Sequence, residues 1–146
     1  MFEYFLVFLG AAIPWLEIAL VIPLGIISGL SPVGVMLLAF TGNMLTVLLL
    51  IIGFQKVKEW VASKSKKGDE KESKRTERGK RIWNKYGMPG LALLGPFLIG
   101  THIAAFIGLL FGASKVNTTI WMTISIALWT LILGVATAMG FNFFVQ

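Results

Sequence analysis

The chain has 146 residues, 56% of them hydrophobic, and a mean hydropathy of +0.81. One domain of this size cannot hide so much apolar surface from water, which excludes a soluble globular protein and predicts a polytopic α-helical membrane protein. The chain has no cysteine, so disulfide frameworks and thiolate metal sites are excluded. Its formal net charge is +6, but every lysine and arginine except Lys115 lies between Lys56 and Lys85. This clustering indicates membrane topology rather than a nucleic-acid partner.

The first 31 residues are apolar but broken. Residues 1–13 predict a short helix that cannot cross a bilayer alone, and the absence of a basic start or a cleavage site argues against a removable signal peptide. Residues 14–31 hold one acid, Glu17, among prolines. Charge and irregular backbone survive at membrane depth only where protein or a water-filled cavity satisfies them. Residues 14–31 therefore predict a broken or re-entrant segment around a polar site.

Residues 33–54 form the cleanest predicted spanning helix, because they are uncharged and long enough to cross a bilayer. Gly42 and Asn43 lie near its middle. A small residue beside an amide fits either close packing of two helices or contact of Asn43 with a substrate, and the sequence leaves both open.

Residues 55–86 are strongly polar and basic. The part from 64 to 75 has almost no apolar residue, so it predicts a solvated loop or a charged helix extension. The positive-inside rule places this basic loop in the cytoplasm. The C-terminal end of the helix over 33–54 is then cytoplasmic and its start lies outside.

Residues 87–113 are a second broken apolar stretch, and residues 120–141 predict a second clean spanning helix. The second broken stretch carries Thr101 and His102, so each broken stretch has one titratable side chain. We expect the backbone of the two stretches to break at Pro14, Pro23, Pro32, Pro96 and Gly100.

A short motif occurs twice without gaps, as Gly25-x-x-x-Gly29-x-Ser31-x-Val33 and Gly108-x-x-x-Gly112-x-Ser114-x-Val116. In both places a broken segment precedes the motif and a clean spanning helix follows it. Secondary transporters often consist of such halves, with the binding site built from interrupted helices. The spacing of the four glycines, Gly25, Gly29, Gly108 and Gly112, predicts close helix packing.

Two topologies agree with this pattern. If both broken segments are re-entrant, the two halves are inverted and Lys115 is cytoplasmic, as the positive-inside rule prefers. If both span fully, the chain has four spanning helices and Lys115 lies outside. We favour the inverted arrangement: one transmembrane domain over 1–146, with a first half 1–54, a basic loop 55–86 and a second half 87–146.

At this point the chain resembles the small multidrug export family, a relative of the DedA-type (VTT-domain) membrane proteins. The resemblance covers nearly the whole chain, and its motifs are Glu17, Pro23-Leu24-Gly25, Gly29-Leu30-x-Pro32, Gly42-Asn43, Lys85-Tyr86-Gly87, Gly100-Thr101 and Leu110-x-Gly112. It implies a DedA-like fold of two inverted repeats, each a re-entrant helical hairpin plus a spanning helix. It also implies transport, with lipid or lipid-phosphate movement and proton coupling as features of the DedA-type relatives.

The chain departs from these relatives where they carry arginines. DedA-type proteins have two arginines in the second hairpin, and here those positions are Pro96 and His102. An arginine that often follows the first acid in the nearer family is Ala19 here. A dianionic headgroup is bound best by guanidinium groups, so a cation or a proton suits this chain better than a bare phosphate.

The candidate site for substrate or proton consists of Glu17, His102, Asn43 and Thr101. A buried carboxylate is costly unless it is protonated or paired, and an imidazole exchanges protons close to neutral pH. Glu17 also fits a purely structural role, as a protonated acid bonded to backbone at the break. No catalytic motif, metal-ligand set or cofactor motif is present, so we expect no enzyme, no metal and no cofactor.

We therefore expect a multi-pass plasma-membrane transporter or lipid flippase that is proton-coupled through Glu17. The alternatives are an exporter of lipophilic cations and a non-transporting scaffold that docks partners on its basic loop. Membrane lipids are expected partners, and the small size of the chain favours a homodimer.

Overall fold

The predicted all-helical fold is confirmed for the residues that the structure describes. The structure, a computed structural model, describes residues 1–65 and 74–145, with the backbone alone for 65, 75 and 141–145. This part of the chain contains seven helices and no strand: α1 (Phe2–Ala12), α2 (Glu17–Ile27), α3 (Pro32–Ile52), α4 (Phe54–Ser65), α5 (Lys74–Leu98), α6 (Thr101–Leu110) and α7 (Lys115–Val145). The centre of the predicted basic loop, 66–73, lies outside the described residues.

Two helices are long and apolar enough to cross a membrane within the described residues. They are Pro32–Ile52, with a mean hydropathy of 2.4, and Lys115–Gly140, with 1.9. Their exposed side chains are also apolar, as at Leu37 of α3 and Leu131 of α7. An apolar outer face is what lipid requires and is unfavourable in water. The structure therefore agrees with the predicted spanning helices over 33–54 and 120–141, although α7 begins earlier, at Lys115.

The chain divides into two compact units, and each long helix contributes to both. Unit 1 comprises Met1–Thr46 and Thr123–Gln146, and unit 2 comprises Val47–Met122. Each unit contains one hairpin of short apolar helices.

The hairpin of unit 1 is formed by α1 and α2, which pack on each other. At the start of α1, the Tyr4 hydroxyl accepts a hydrogen bond from the Ser31 N–H at 3.1 Å, beside the start of α3. At the end of α1, Asn43 Nδ2 donates to the Ala11 carbonyl oxygen at 3.0 Å. Because Asn43 lies midway along α3, the hairpin begins level with the start of α3 and turns level with its middle.

Gly42 allows a close approach of α1 to α3. A Cβ placed on Gly42 would overlap the carbonyl oxygen of Phe8, which belongs to the backbone of α1 and cannot move aside as a side chain can. The second helix of the hairpin, α2, packs similarly, since a Cβ on Gly25 would lie 3.0 Å from Val35 Cγ1. Small residues therefore hold both arms of the hairpin against α3.

The hairpin of unit 2 is formed by α6 and the second part of α5, which bends at Gly87 (φ +69°). A Cβ on Gly95 would lie 2.5 Å from Ala104 Cβ, and a Cβ on Gly108 would lie 2.5 Å from Met88 Sδ. These glycines therefore let the two arms of this hairpin pack closely on each other.

Contacts within each unit show that α3 and α7 are antiparallel. In unit 1, Thr123 Oγ1 lies 3.6 Å from Met44 Sδ, and Gly134 lies against Met36, nearer the start of α3. In unit 2, Lys115 Nζ donates to the Ile52 carbonyl oxygen at 3.2 Å. The first residue of α7 therefore lies beside the last residue of α3, where a cation is favourable because it satisfies a free carbonyl at a helix C-terminus.

The repeated motif has the same backbone geometry in both units. Gly29 (φ +90°) and Gly112 (φ +105°) each follow a short helix in the left-handed region. The next N–H bonds back five residues, from Leu30 to the Gly25 carbonyl at 3.2 Å and from Ala113 to the Gly108 carbonyl at 2.9 Å. This is the Schellman turn, which ends a helix at a glycine. Nothing lies within 4 Å of a Cβ built on Gly29 or Gly112, so these two glycines serve the turn, whereas Gly25 and Gly108 lie at close contacts.

The prolines occupy several kinds of position. Pro14 lies in the connection between α1 and α2, and Pro32 is the first residue of α3, where its missing N–H has no helical partner to lose. Gly100 (φ +100°) lies between α5 and α6. Pro23 and Pro96, in contrast, lie inside α2 and α5. A proline inside a helix removes one hydrogen bond, but α2 continues through Pro23 and α5 continues through Pro96.

We predict that Gly42→Ala destabilises the fold, because the new methyl group meets the backbone of α1. The expected loss is about 1–3 kcal/mol, as for other overpacked sites. Thermal unfolding in detergent micelles measures it. The control is Gly140→Ala, where a Cβ meets nothing within 4 Å, and no loss is expected. Equal unfolding temperatures for the two variants would contradict the close approach of α1 to α3.

Candidate functional site

Glu17 lies where the first hairpin turns. The Ile13 carbonyl oxygen accepts hydrogen bonds from the N–H groups of Leu16 at 3.1 Å and Glu17 at 3.2 Å. Glu17 is the first residue of α2, and its side chain is 6% exposed. A carboxylate in the first turn of a helix is stabilised by the free N–H groups there. The turn thus places a buried acid at the N-terminus of α2.

The backbone of Glu17 is strained. Its φ of +46° makes it the non-glycine residue with a positive φ in the described part of the chain. The left-handed region costs a residue with a Cβ on the order of 1–3 kcal/mol, and such strain clusters at functional sites. A glycine would avoid this cost, so the acid at this position indicates a role for the carboxylate.

Asn43 contacts the same hairpin turn from α3. Its side chain is 0% exposed, and Nδ2 is bonded to Ala11 as described above. Its Oδ1 is buried and has no hydrogen-bond partner among the described residues. An unsatisfied buried acceptor is unfavourable by about 1–3 kcal/mol. The turn of the hairpin therefore carries an acid, and Asn43 of α3, which bonds to the end of α1, carries a buried acceptor without a donor.

The charges of unit 1 favour a cation. No lysine, arginine or histidine occurs in 1–46 or 123–146. Unit 1 therefore contains no basic side chain, and a buried carboxylate favours a cation or a proton over an anion. An anionic ligand would be repelled by the same group.

Thr101 and His102 lie in unit 2, at the start of α6. Both side chains are buried, and Thr101 Oγ1 lies 3.2 Å from His102 Nδ1, with the donor set by the imidazole tautomer. Thr101 and His102 are neighbours in the sequence and their side chains also contact each other. Glu17 and His102 belong to different units, and their proposed pairing stays a prediction.

In the internal repeat, Glu17 and His102 do not occupy equivalent positions. The spacing that relates Gly25 to Gly108 relates Glu17 to Gly100. Glu17 is the first residue of α2, Gly100 directly precedes α6, and both residues have a positive φ. The same spacing relates His102 to Ala19. The strained position therefore carries an acid in the first half and a glycine in the second.

Sequence reasoning missed Thr130 of α7. This side chain is 4% exposed, and its Oγ1 is buried without a hydrogen-bond partner in the described part of the chain. A threonine in a spanning helix usually bonds to a carbonyl of its own helix, so the sequence carries no signal for this position. No group of three or more potential metal-ligating side chains occurs within the described residues.

The comparison with protein families now adds to this geometry. Residues 17–132 match the model of the family described as "Putative small multi-drug export protein". The chain belongs to this family. The matched segment begins at Glu17 and includes Asn43, Thr101 and His102. The family description, together with the apolar helices, indicates a membrane transporter rather than an enzyme, as the sequence predicted. No curated protein and no solved structure was found to match the chain, and the relation to DedA-type proteins stays a prediction.

We predict that Glu17→Gly is more stable than Glu17→Ala. Both changes remove the carboxylate, but alanine keeps the Cβ that the left-handed backbone disfavours by roughly 1–2 kcal/mol. Thermal unfolding in micelles compares the two. The control is Leu20, an exposed residue within α2, where glycine is expected to be less stable than alanine by about 1 kcal/mol. The same order at both positions would contradict a strained Glu17.

Proposed function

We propose that this chain exports small lipophilic cations across the plasma membrane in exchange for protons, with the Glu17 carboxylate as the shared binding group. The family description supports export. The observation that carries the choice of substrate is the buried, strained Glu17 in a unit without basic side chains. Phospholipid translocation has less support, because a phosphate headgroup would find no guanidinium group in unit 1.

Exchange follows from competition for one carboxylate. When Glu17 is ionised, it attracts a cation, and Asn43 Oδ1 accepts a hydrogen bond from an N–H of that cation. When Glu17 binds a proton, it becomes neutral and the cation loses its counter-charge. The other titratable side chains of unit 1 are Glu3 and Tyr4, both in the first turn of α1. They lie at the opposite end of that helix from the turn, so the exchange depends on Glu17. A second proton-exchanging role is proposed for His102.

The helix lengths and contacts support re-entrant hairpins. Helix α1 and helix α2 have 11 residues each, so each is about 16 Å long against a hydrocarbon core of roughly 30 Å. The bond from Asn43 to Ala11 is consistent with a turn at the membrane midplane. The bond from Lys115 to the Ile52 carbonyl supports the inverted topology, since the four-span alternative separates these residues by the membrane.

We further propose that the basic loop is cytoplasmic and that two copies form a homodimer in contact with membrane lipids. The charge of the loop supports its orientation. The size of the chain supports the dimer, because few helices are available to enclose a path for the substrate. A non-transporting scaffold would instead depend on the basic loop and not on Glu17.

Glu17→Gln is expected to abolish transport of ethidium, a lipophilic cation, into proteoliposomes under an imposed pH gradient. The amide keeps the shape of the side chain but can neither bind a proton nor balance a positive charge. Fluorescence of trapped ethidium measures the flux, and Glu3→Gln at the exposed start of α1 is the matched control. We expect the Glu17 variant to fall to the rate of protein-free liposomes. Wild-type, pH-dependent flux in Glu17→Gln would sink the exchange mechanism.

Single cysteines test the topology directly, because the natural chain has none. Ser63→Cys in α4 and Asn117→Cys in α7 are expected to react with a membrane-impermeant maleimide from the same side of the membrane. Ser28→Cys, at the end of α2, is expected to react from the opposite side. All three positions are exposed. Labelling of Asn117→Cys and Ser63→Cys from opposite sides would favour the four-span arrangement.

A further inference from the structure

A groove lies within unit 2, between the end of α3 and the start of α7. It has a volume of about 260 Å³. Its lining is apolar apart from one charged group and one hydroxyl, and includes Leu48, Ile51 and Ile52 from α3 and Lys115, Val116 and Ile120 from α7. The hydroxyl, of Thr119, donates to the Lys115 carbonyl oxygen at 2.7 Å, so it is satisfied within α7. The groove therefore combines an apolar surface with the charge of Lys115.

The ammonium group of Lys115 has capacity for a further partner. Besides its bond to the Ile52 carbonyl oxygen at 3.2 Å, it makes no other hydrogen bond and no ion pair within the described residues. A lysine ammonium carries three N–H donors, so two remain for a ligand. Lys115 is exposed, and the strongest bonds of such a group are to anionic oxygens.

Lys115 and Ile52 lie at the boundary between apolar and charged sequence. The apolar span of α3 ends at Ile52, and the next charged residue along the chain is Lys56. The apolar span of α7 begins at Lys115, and no aspartate, glutamate, lysine or arginine occurs in 116–146. In a bilayer this level corresponds to the lipid headgroups. Because α3 and α7 are antiparallel, Leu48 and Ile120 lie on the deeper side of it, at the level of the acyl chains.

We infer that this groove binds a phospholipid whose headgroup has a net negative charge, such as phosphatidylglycerol. The phosphate bonds to Lys115, and part of one acyl chain lies along Leu48 and Ile120. The side chains of Ile52, Val116 and Ile120 are more than half exposed, so the groove is open to a lipid that approaches from the bilayer.

The size and charge of the groove decide between this occupant and others. Its volume is below the range of about 300–1,000 Å³ that encloses a small molecule, but it holds roughly nine non-hydrogen atoms at about 30 Å³ each, a segment of an acyl chain. A zwitterionic lipid fits the apolar surface equally well, but its headgroup gains no net attraction from Lys115. A soluble phosphate would find the ammonium group and leave the apolar surface uncovered.

The test compares phosphatidylglycerol with phosphatidylcholine that carries the same acyl chains. Each lipid is added at the same micellar fraction to the full chain in a neutral detergent, and native mass spectrometry measures the lipid that remains bound. We expect phosphatidylglycerol to bind at least about fivefold more tightly, the effect of one lysine at an anionic lipid surface. In Lys115→Gln, which removes the charge, this preference is expected to fall about fivefold. Lys115→Arg keeps the charge and should keep the preference.

Two further variants separate the groove from general attraction to the basic loop. Lys64→Gln makes the same chemical change near the end of α4, about 15 Å along that helix from Phe54. The preference should persist there, because charges at this distance are screened by salt. Ile120→Trp fills the apolar part of the groove and leaves Lys115 in place, so it tests the groove even if Lys115→Gln does not fold. It should abolish tight binding of phosphatidylglycerol.

The assignment is overturned if the two lipids bind the natural chain equally, if Lys115→Gln keeps the preference, or if Lys64→Gln lowers it as much. It is also overturned if Ile120→Trp retains the lipid or if an excess of glycerol 3-phosphate displaces it, since the apolar surface would then contribute nothing. A second copy covers the groove instead if neither lipid binds the natural chain and Ile120→Trp converts a dimer to a monomer.

This lipid site goes beyond export and does not depend on it, because the groove belongs to unit 2 and Glu17 to unit 1. Binding of phosphatidylglycerol through Lys115 without ethidium transport would keep the lipid site and refute export. Ethidium transport through Glu17 without a lipid preference would keep export and refute the lipid site.

Discussion

The contact between the turn of the first hairpin and the middle of α3 governs unit 1. A chain that turns back at this level exposes backbone carbonyls, and in lipid these need a partner from the protein. Two adjacent residues of α3 meet this need in different ways. Gly42 has no side chain, so α1 can lie against the backbone of α3, and Asn43 then reaches the Ala11 carbonyl. If α1 did not lie against Gly42, Asn43 could not reach the Ala11 carbonyl. The turn that carries Glu17 would then lose its hydrogen bond to α3.

The sequence predicted those parts of the fold that depend on hydropathy. It did not predict the features that depend on the backbone conformation of single residues. The spanning helices, the short α1 and the existence of two broken stretches follow from runs of apolar residues between helix breakers. The repeat also pointed to the right positions, but its spacing suggested packing at Gly29 and Gly112, where the structure has Schellman turns. The left-handed Glu17 could not be predicted, because glycine and asparagine are the usual signals of a positive φ and glutamate is not. Partners of buried polar groups, such as Ala11 for Asn43, depend on tertiary contacts that no local pattern encodes.

The two halves share a backbone design and differ in chemistry. Both place a positive φ at the start of the second hairpin helix, and both end that helix with the same turn. In the second half the positive φ falls on a glycine, Gly100, which has no Cβ to strain, and the titratable side chain, His102, lies two residues further on and bonds with its neighbour Thr101. In the first half the positive φ falls on Glu17, where it has a cost. Since a glycine would adopt a positive φ without this cost, backbone geometry alone does not explain the acid.

Buried polar atoms without hydrogen-bond partners are a second feature of unit 1 that the stability of the fold does not explain. Among the described residues, Asn43 Oδ1 and Thr130 Oγ1 are buried side-chain atoms without a hydrogen bond, and both lie in unit 1. A fold selected for stability alone would satisfy such atoms or replace them with apolar groups, which is often neutral or stabilising. Their positions differ: Asn43 bonds to the end of α1 through its Nδ2 atom, and Thr130 lies among apolar side chains of α3 and α7. Both atoms therefore mark positions of unit 1 where a polar side chain is kept without a bond from that atom that holds the fold together.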